Sequence, residues 1–280
     1  MRLATIRSGA GSIPALVRDG MVIPLDDRAA TVNEIIAAGP ALWRELEARG
    51  GSPDAQPLDA VQLDAPLRPE RFIFTIGANY AAAREDPRPT ADAPLVFGKL
   101  PGAAIGPGGT LTWDPAVLPL VDYEVELAII IGQKGYGISE HAAWDHVFGY
   151  TCVNDIASRE PRYDGDQWLL GKSHPSFCPI GPWIVTPDEV PDPYALAMRS
   201  VLNGEVVQSG STAQMRFRIP QIISFLSRFT ELQPGDVIAT GTPPGTGIDR
   251  QPPRLLGDGD EITIEIDGIG SLRNRVVLGP

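Results

Sequence analysis

From about Arg71 onward, short runs of β-branched and aromatic residues are cut again and again by glycine or proline. Phe72-Ile73-Phe74-Thr75-Ile76, Val125 through Ile131, Trp183-Ile184-Val185 and Val237-Ile238-Ala239-Thr240 are such runs. Branched and aromatic side chains suit a pleated strand, whereas Gly and Pro punctuate strands and break helices. With 30 glycines and 28 prolines in 280 residues and no collagen period, the chain is expected to be a turn-rich β protein and not a helix bundle. Near the end, Ile262, Ile264 and Ile266 alternate with Thr263, Glu265 and Asp267, the period of a half-buried strand. Asp267-Gly268 then reads as a two-residue hairpin turn into Ile269 to Leu278. The clearest helix is 220–229, with Ile222, Ile223, Leu226 and Phe229 on one stripe.

Two units are expected. Residues 1–66 read as a small N-terminal domain, in which Met21-Val22-Ile23-Pro24-Leu25 is strand-like and Thr31 caps a short helix starting at Val32. Residues 67–280 form the main body, a β-rich α+β sandwich or roll with few helices. The balance of 23 basic against 35 acidic residues, a net charge of −12, leaves no basic footprint for a nucleic acid. No stretch approaches the ~18 apolar residues of a membrane span, and charges interrupt the N-terminus, so a cytoplasmic protein with no membrane partner is expected. Cys152 and Cys178 show no metal spacing and are expected as free buried thiols.

The run that carries chemistry is Asp122-Tyr123-Glu124-Val125-Glu126-Leu127. As a strand it puts Tyr123, Val125 and Leu127 on one face and Asp122, Glu124 and Glu126 on the other. Residues two apart lie roughly 6.6 Å apart at Cα, near enough for two glutamates to converge on one ion. A third acid, Asp155, follows in Tyr150-Thr151-Cys152-Val153-Asn154-Asp155. Three carboxylates without a His or Cys partner suit a hard, oxygen-loving cation, Mg²⁺ or Mn²⁺.

These segments, in order with Gly77-Ala78-Asn79-Tyr80, Phe97-Gly98-Lys99, Gly149 through Arg159, Gln167 through Ser173, Phe177 through Pro182, Thr240-Gly241-Thr242-Pro243 and Gly268 through Asn274, resemble the fumarylacetoacetate hydrolase family from about Phe72 to Asn274. The resemblance implies that family's mixed β-sandwich or roll core, a homodimer, and a divalent ion on Glu124, Glu126 and Asp155. It implies a small 2-oxo or 2,4-dioxo acid as substrate, with Lys172 and Arg159 catalytic and Tyr80, Lys99 and Thr242 substrate-binding. Many hydrolytic members follow Asn-Tyr with x-x-His-x-x-Glu, a dyad that activates water. Here Ala83 stands at the His position and Asp86 at the Glu position, leaving the neighbouring Glu85 as first candidate for the base and His174 as second. The expectation is a metal-dependent hydrolase that cleaves a C–C bond in an acylpyruvate-like acid. The alternative is a decarboxylase, tautomerase or isomerase of a 2-oxo acid, which needs no activated water, or a member that binds ligand without catalysis.

Overall fold

The structure is a computed structural model that describes residues 1–9, 11–49, 51–80, 92–160 and 167–279. Three strands open the chain as an antiparallel meander: β1 (Arg2–Ser8), β2 (Gly11–Arg18) and β3 (Met21–Pro24). Helix α1 (Val32–Ala38) starts at Thr31, whose hydroxyl accepts the Glu34 amide while the Glu34 carboxylate accepts the Ala30 amide. Gly39, at φ +82°, turns the chain directly into α2 (Pro40–Ala48), a conformation that suits glycine. There follow β4 (Ile73–Gly77), β5 (Leu95–Lys99), the two-residue β6 (Val121–Asp122), β7 (Val125–Ile131), β8 (Val147–Asn154) and the short β9 (Ala157–Ser158). Helix α3 (Trp168–Lys172) and β10 (Cys178–Val185) precede the hairpin of β11 (Ala197–Leu202) and β12 (Glu205–Ser211). The chain ends with α4 (Ile219–Ser227), β13 (Val237–Ala239), β14 (Glu261–Ile266) and β15 (Gly270–Val276).

One long mixed sheet runs β3-β2-β1-β10-β8-β7-β13-β4-β5, and a second sheet runs β12-β11-β14-β15 and on to Thr110–Leu111. β7 lies in the interior of the long sheet. Its Val125, Leu127, Ile129 and Ile131 join the core that also takes Ile262, Ile264 and Ile266 of the second sheet. Its Ala128 and Ile130 join the core containing Val32, Ile35 and Ile36 of α1. Being covered on both faces, β7 is buried at every position and, Glu126 apart, is apolar throughout instead of alternating. Residues 1–66 have a small apolar cluster of their own (Ala4, Ile6, Ala15, Val17, Val22) and also join the long sheet, through Arg2↔Val185 and Leu3↔Ile184.

Two local expectations change. The final hairpin connects through three residues, because Ile266 pairs with Gly270 and Ile269 tucks into the core. Gly268 supplies the left-handed residue, at φ +73°, that such a loop requires. Helix α4 stops at Ser227, so Phe229 leaves the buried stripe and is 73% exposed, its ring tilted at 60° against that of Phe225. Both cysteines are free and buried. No helix among the described residues is long and apolar enough to cross a membrane.

Candidate metal and catalytic centre

The centre lies where regular pairing breaks. β6 pairs with β9 and β7 with β8, and the Tyr123-Glu124 step between the two ladders belongs to neither. There the Glu124 amide donates to Asn154 Oδ1 at 3.1 Å, and the Asp155 amide donates to the Glu124 carbonyl at 3.0 Å. This side-by-side seating brings Glu124 and Asp155 together, and Glu126 on the first turn of the pleat completes the group. Ligand oxygens of Glu124, Glu126 and Asp155 lie within 4.8 Å of one another, all three residues buried.

Cations close the group from the sides. Lys172, at the C-terminal end of α3, donates from Nζ to Glu124 Oε2 at 2.9 Å and to Asp155 Oδ2 at 2.7 Å. Lys99, the last residue of β5, donates to Asp155 Oδ1 and, at 2.9 Å, to the Ile156 carbonyl. Arg159, just past β9, reaches Asp122 Oδ2 through Nε at 3.0 Å and Glu124 Oε1 through Nη2. Glu126 takes its support from the backbone, the Gly241 amide lying 2.7 Å from Oε2. Phe97, edge-on to Trp168, places its ring 5.1 Å from Lys172 Nζ.

Residues 72–277 match the family model described as fumarylacetoacetate (FAA) hydrolase C-terminal. The chain belongs to this family. Over 229 residues it is 43% identical to the human mitochondrial oxaloacetate tautomerase FAHD2A, a match covering 79% of this chain and 71% of that protein. It superposes with a TM-score of 0.89, at 34% identity and full coverage of both chains, on the fumarylacetoacetate hydrolase of the psychrophile Exiguobacterium antarcticum. A maleylpyruvate hydrolase from Sphingobium sp. SYK-6, solved in complex with manganese(II) and pyruvate, gives a TM-score of 0.85 at 30% identity, again over the full length of both chains.

In this family member the electrostatics of the centre suit a hard cation. Burial, reinforced by the charges of Asp155 and Glu124, pushes the Glu126 carboxyl well above the usual carboxylate range, so an extra positive charge is wanted there. Burial acts on Asp155 in the same sense, but Lys172 and Lys99 outweigh it and hold that carboxyl below its ordinary value. Burial presses the Lys172 ammonium to give up its proton, yet Asp155 and Glu124 prevail and its pKa ends above the ordinary lysine value. Lys99, with no exposed surface, is the reverse case: burial prevails over Asp155 and its pKa falls. An all-carboxylate set matches the oxygen preference of Mg²⁺ and Mn²⁺.

The residues singled out from sequence thus divide. Glu124, Glu126, Asp155, Lys172, Lys99 and Arg159 are one buried cluster. Tyr80 lies behind it with its hydroxyl on Thr240 Oγ1 at 3.2 Å, and the Glu126 charge helps burial to raise its pKa. The Thr242 hydroxyl donates to the Val125 carbonyl at 2.8 Å and accepts from Gln208 Nε2 at 2.8 Å, pinning the start of β7. His174 sits against the Phe177 ring, its Nδ1 3.1 Å from the Pro175 carbonyl. Glu85, with Ala83 and Asp86, lies outside the described residues. Sequence reasoning missed the Gly241 amide, since every residue type carries one, and it assigned no task to Asp122. Alternation grouped Asp122 with the two glutamates, but the interruption after β6 turns it away from the triad to Arg159.

Proposed function

We propose that this protein is a divalent-metal-dependent tautomerase of a small 2-oxo dicarboxylic acid, with oxaloacetate as the first substrate to test. The observation that carries the reading is the single buried cluster in which Lys172 spans Glu124 and Asp155 beside Glu126. Such a cluster can bind oxygen anions and stabilise an enolate without any residue dedicated to activating water. The similarity to an oxaloacetate tautomerase and the alanine at position 83 both favour this chemistry over hydrolysis.

Keto–enol interchange moves one proton between the carbon beside the carbonyl and the carbonyl oxygen, and consumes no water. A cation on Glu124, Glu126 and Asp155 supplies Lewis acidity to the substrate's oxygens when bound. Lys172 stays protonated against burial and offers positive charge where the enolate oxygen develops. Arg159 and Lys99 hold two of the three carboxylates in place. Glu85 is assigned the proton at carbon, being the nearest carboxylate in sequence to the position the family's histidine would take.

C–C bond hydrolysis is the second reading, favoured by the likeness to the maleylpyruvate hydrolase. The experiment follows enol-oxaloacetate by its ultraviolet absorbance and acetylpyruvate cleavage in parallel, each with Mg²⁺, with Mn²⁺ and with EDTA. Metal-dependent loss of the enol, with acetylpyruvate turned over at least tenfold more slowly, is the expected outcome. Faster cleavage of acetylpyruvate would overturn the tautomerase reading in favour of hydrolysis.

A further inference from the structure

Asp122 has no exposed surface, and its carboxylate is saturated with donors. Oδ1 accepts the Tyr123 amide at 2.8 Å and the Gly247 amide at 2.7 Å; Oδ2 accepts the Ile248 amide at 3.1 Å and Arg159 Nε at 3.0 Å. Three of these donors are backbone, so the carboxylate is held by groups that cannot rotate away. The approach at Gly247 depends on the missing side chain: a Cβ there would meet Asp122 Oδ1 at 2.5 Å and the Arg254 carbonyl oxygen at 2.2 Å. Arg159 is the only side chain among these donors. A guanidinium is a rigid planar fork, so fixing Nε on Asp122 also fixes where its two terminal nitrogens point. One of them, Nη2, donates to Glu124 Oε1.

The geometry points to Asp122 as a positioning residue: through Arg159 it sets the direction in which Glu124 presents its carboxylate to a divalent cation. The same connection between β13 and β14 therefore touches both glutamates. It touches Glu126 directly through the Gly241 amide, and Glu124 through Gly247, Ile248, Asp122 and Arg159 in series. The inference rests on the cation-binding part of the proposed function and is indifferent to whether the reaction is tautomerisation or hydrolysis.

The test is calorimetric titration of Mn²⁺ into the metal-stripped full chain, with no substrate present. Natural protein is compared with Asp122→Asn, Arg159→Lys and the double variant. Asparagine keeps the shape but turns an N–H toward Arg159 or gives up its backbone donors. Lysine keeps the charge but offers a point where a fork is needed. Groups that orient a metal ligand typically contribute 10–100-fold to affinity, so each single variant should weaken Mn²⁺ at least tenfold. The double variant should be no weaker than the weaker single, within about threefold, because both changes cut one chain of contacts. A merely structural Asp122 would lower the melting midpoint of the metal-free protein and leave Mn²⁺ affinity alone. That outcome, or losses that add in the double variant, would overturn the inference. Should Asp122→Asn not fold, unchanged Mn²⁺ affinity in Arg159→Lys overturns it alone. A natural protein that bound no Mn²⁺ would overturn the cation reading of the triad and this inference with it.

Discussion

β7 and β14 are strands of nearly equal length with opposite surroundings. β14 shows one face to its sheet's core and the other outward: Ile262, Ile264 and Ile266 are buried, while Glu261, Thr263 and Glu265 are not. β7 is buried at every residue, between β8 and β13 in the sheet plane and between two cores across it. Glutamate on β14 lies at the surface, where Glu265 meets Arg199 at 3.2 Å and water screens both. Glutamate on β7 is held by an amide and crowded by the like charges of Asp155 and Glu124 in a medium that does not screen them. The same residue type is thus incidental to one strand and chemically committed on the other, and burial makes the difference.

Removing a glutamate from each strand breaks that comparison most sharply. Glu126→Ala should abolish Mn²⁺ binding by calorimetry and reduce enol turnover by two orders of magnitude or more, roughly the share a bound Lewis acid supplies. Glu265→Ala should leave both unchanged and shift stability by no more than about 0.5 kcal/mol. Equal effects from the two changes would show that β7 holds no special site.

Lys172→Met sharpens the energetic side. Taking one partner from a buried charge group strands the others, here Glu124 and Asp155, at a cost of about 3–5 kcal/mol in the metal-free protein. Urea denaturation should find that loss, and saturating Mg²⁺ should raise the midpoint of the variant more than that of the natural chain. A loss under 1 kcal/mol would mean that the carboxylates already find water. In the loop that follows β14, Gly268→Ala forces a side chain into the left-handed turn at φ +73° and should cost about 1–2 kcal/mol with enzyme turnover intact.

The smallest effect lies at the start of β14. Burial tends to raise the Asp260 carboxyl, but bonds from Arg254, Asn203 and the Gly257 amide overcome this and hold it below its ordinary 3.8. A depressed folded pKa stabilises the protein above 3.8 and stops doing so as pH falls through the folded value. The stability gap between natural protein and Asp260→Asn should therefore be present at neutral pH and close as acid is added below 3.8. A gap that widened in acid would reverse the assignment.

The period-2 pattern of β14, the Thr31 cap and the acid run with Asp155 were legible in the sequence, because each depends on a few neighbouring residues. Local chemistry of that kind determined that the chain is β-rich, where its last hairpin turns, and which three carboxylates are candidates for a hard cation. The family resemblance extended this to Lys172, Lys99 and Arg159. What they hold was decided only by the tertiary structure. Lys99 reaches Asp155 across 56 positions, Gly241 reaches Glu126 across 115, and Gly247 reaches Asp122 across 125. Alternation along one strand placed Asp122 with Glu124 and Glu126; the interruption between β6 and β7, set by pairing to two different partner strands, took it away again. A residue's type states which bonds it can make. Which of them it makes depends on the partners that folding brings within 3 Å, and those lie far along the chain.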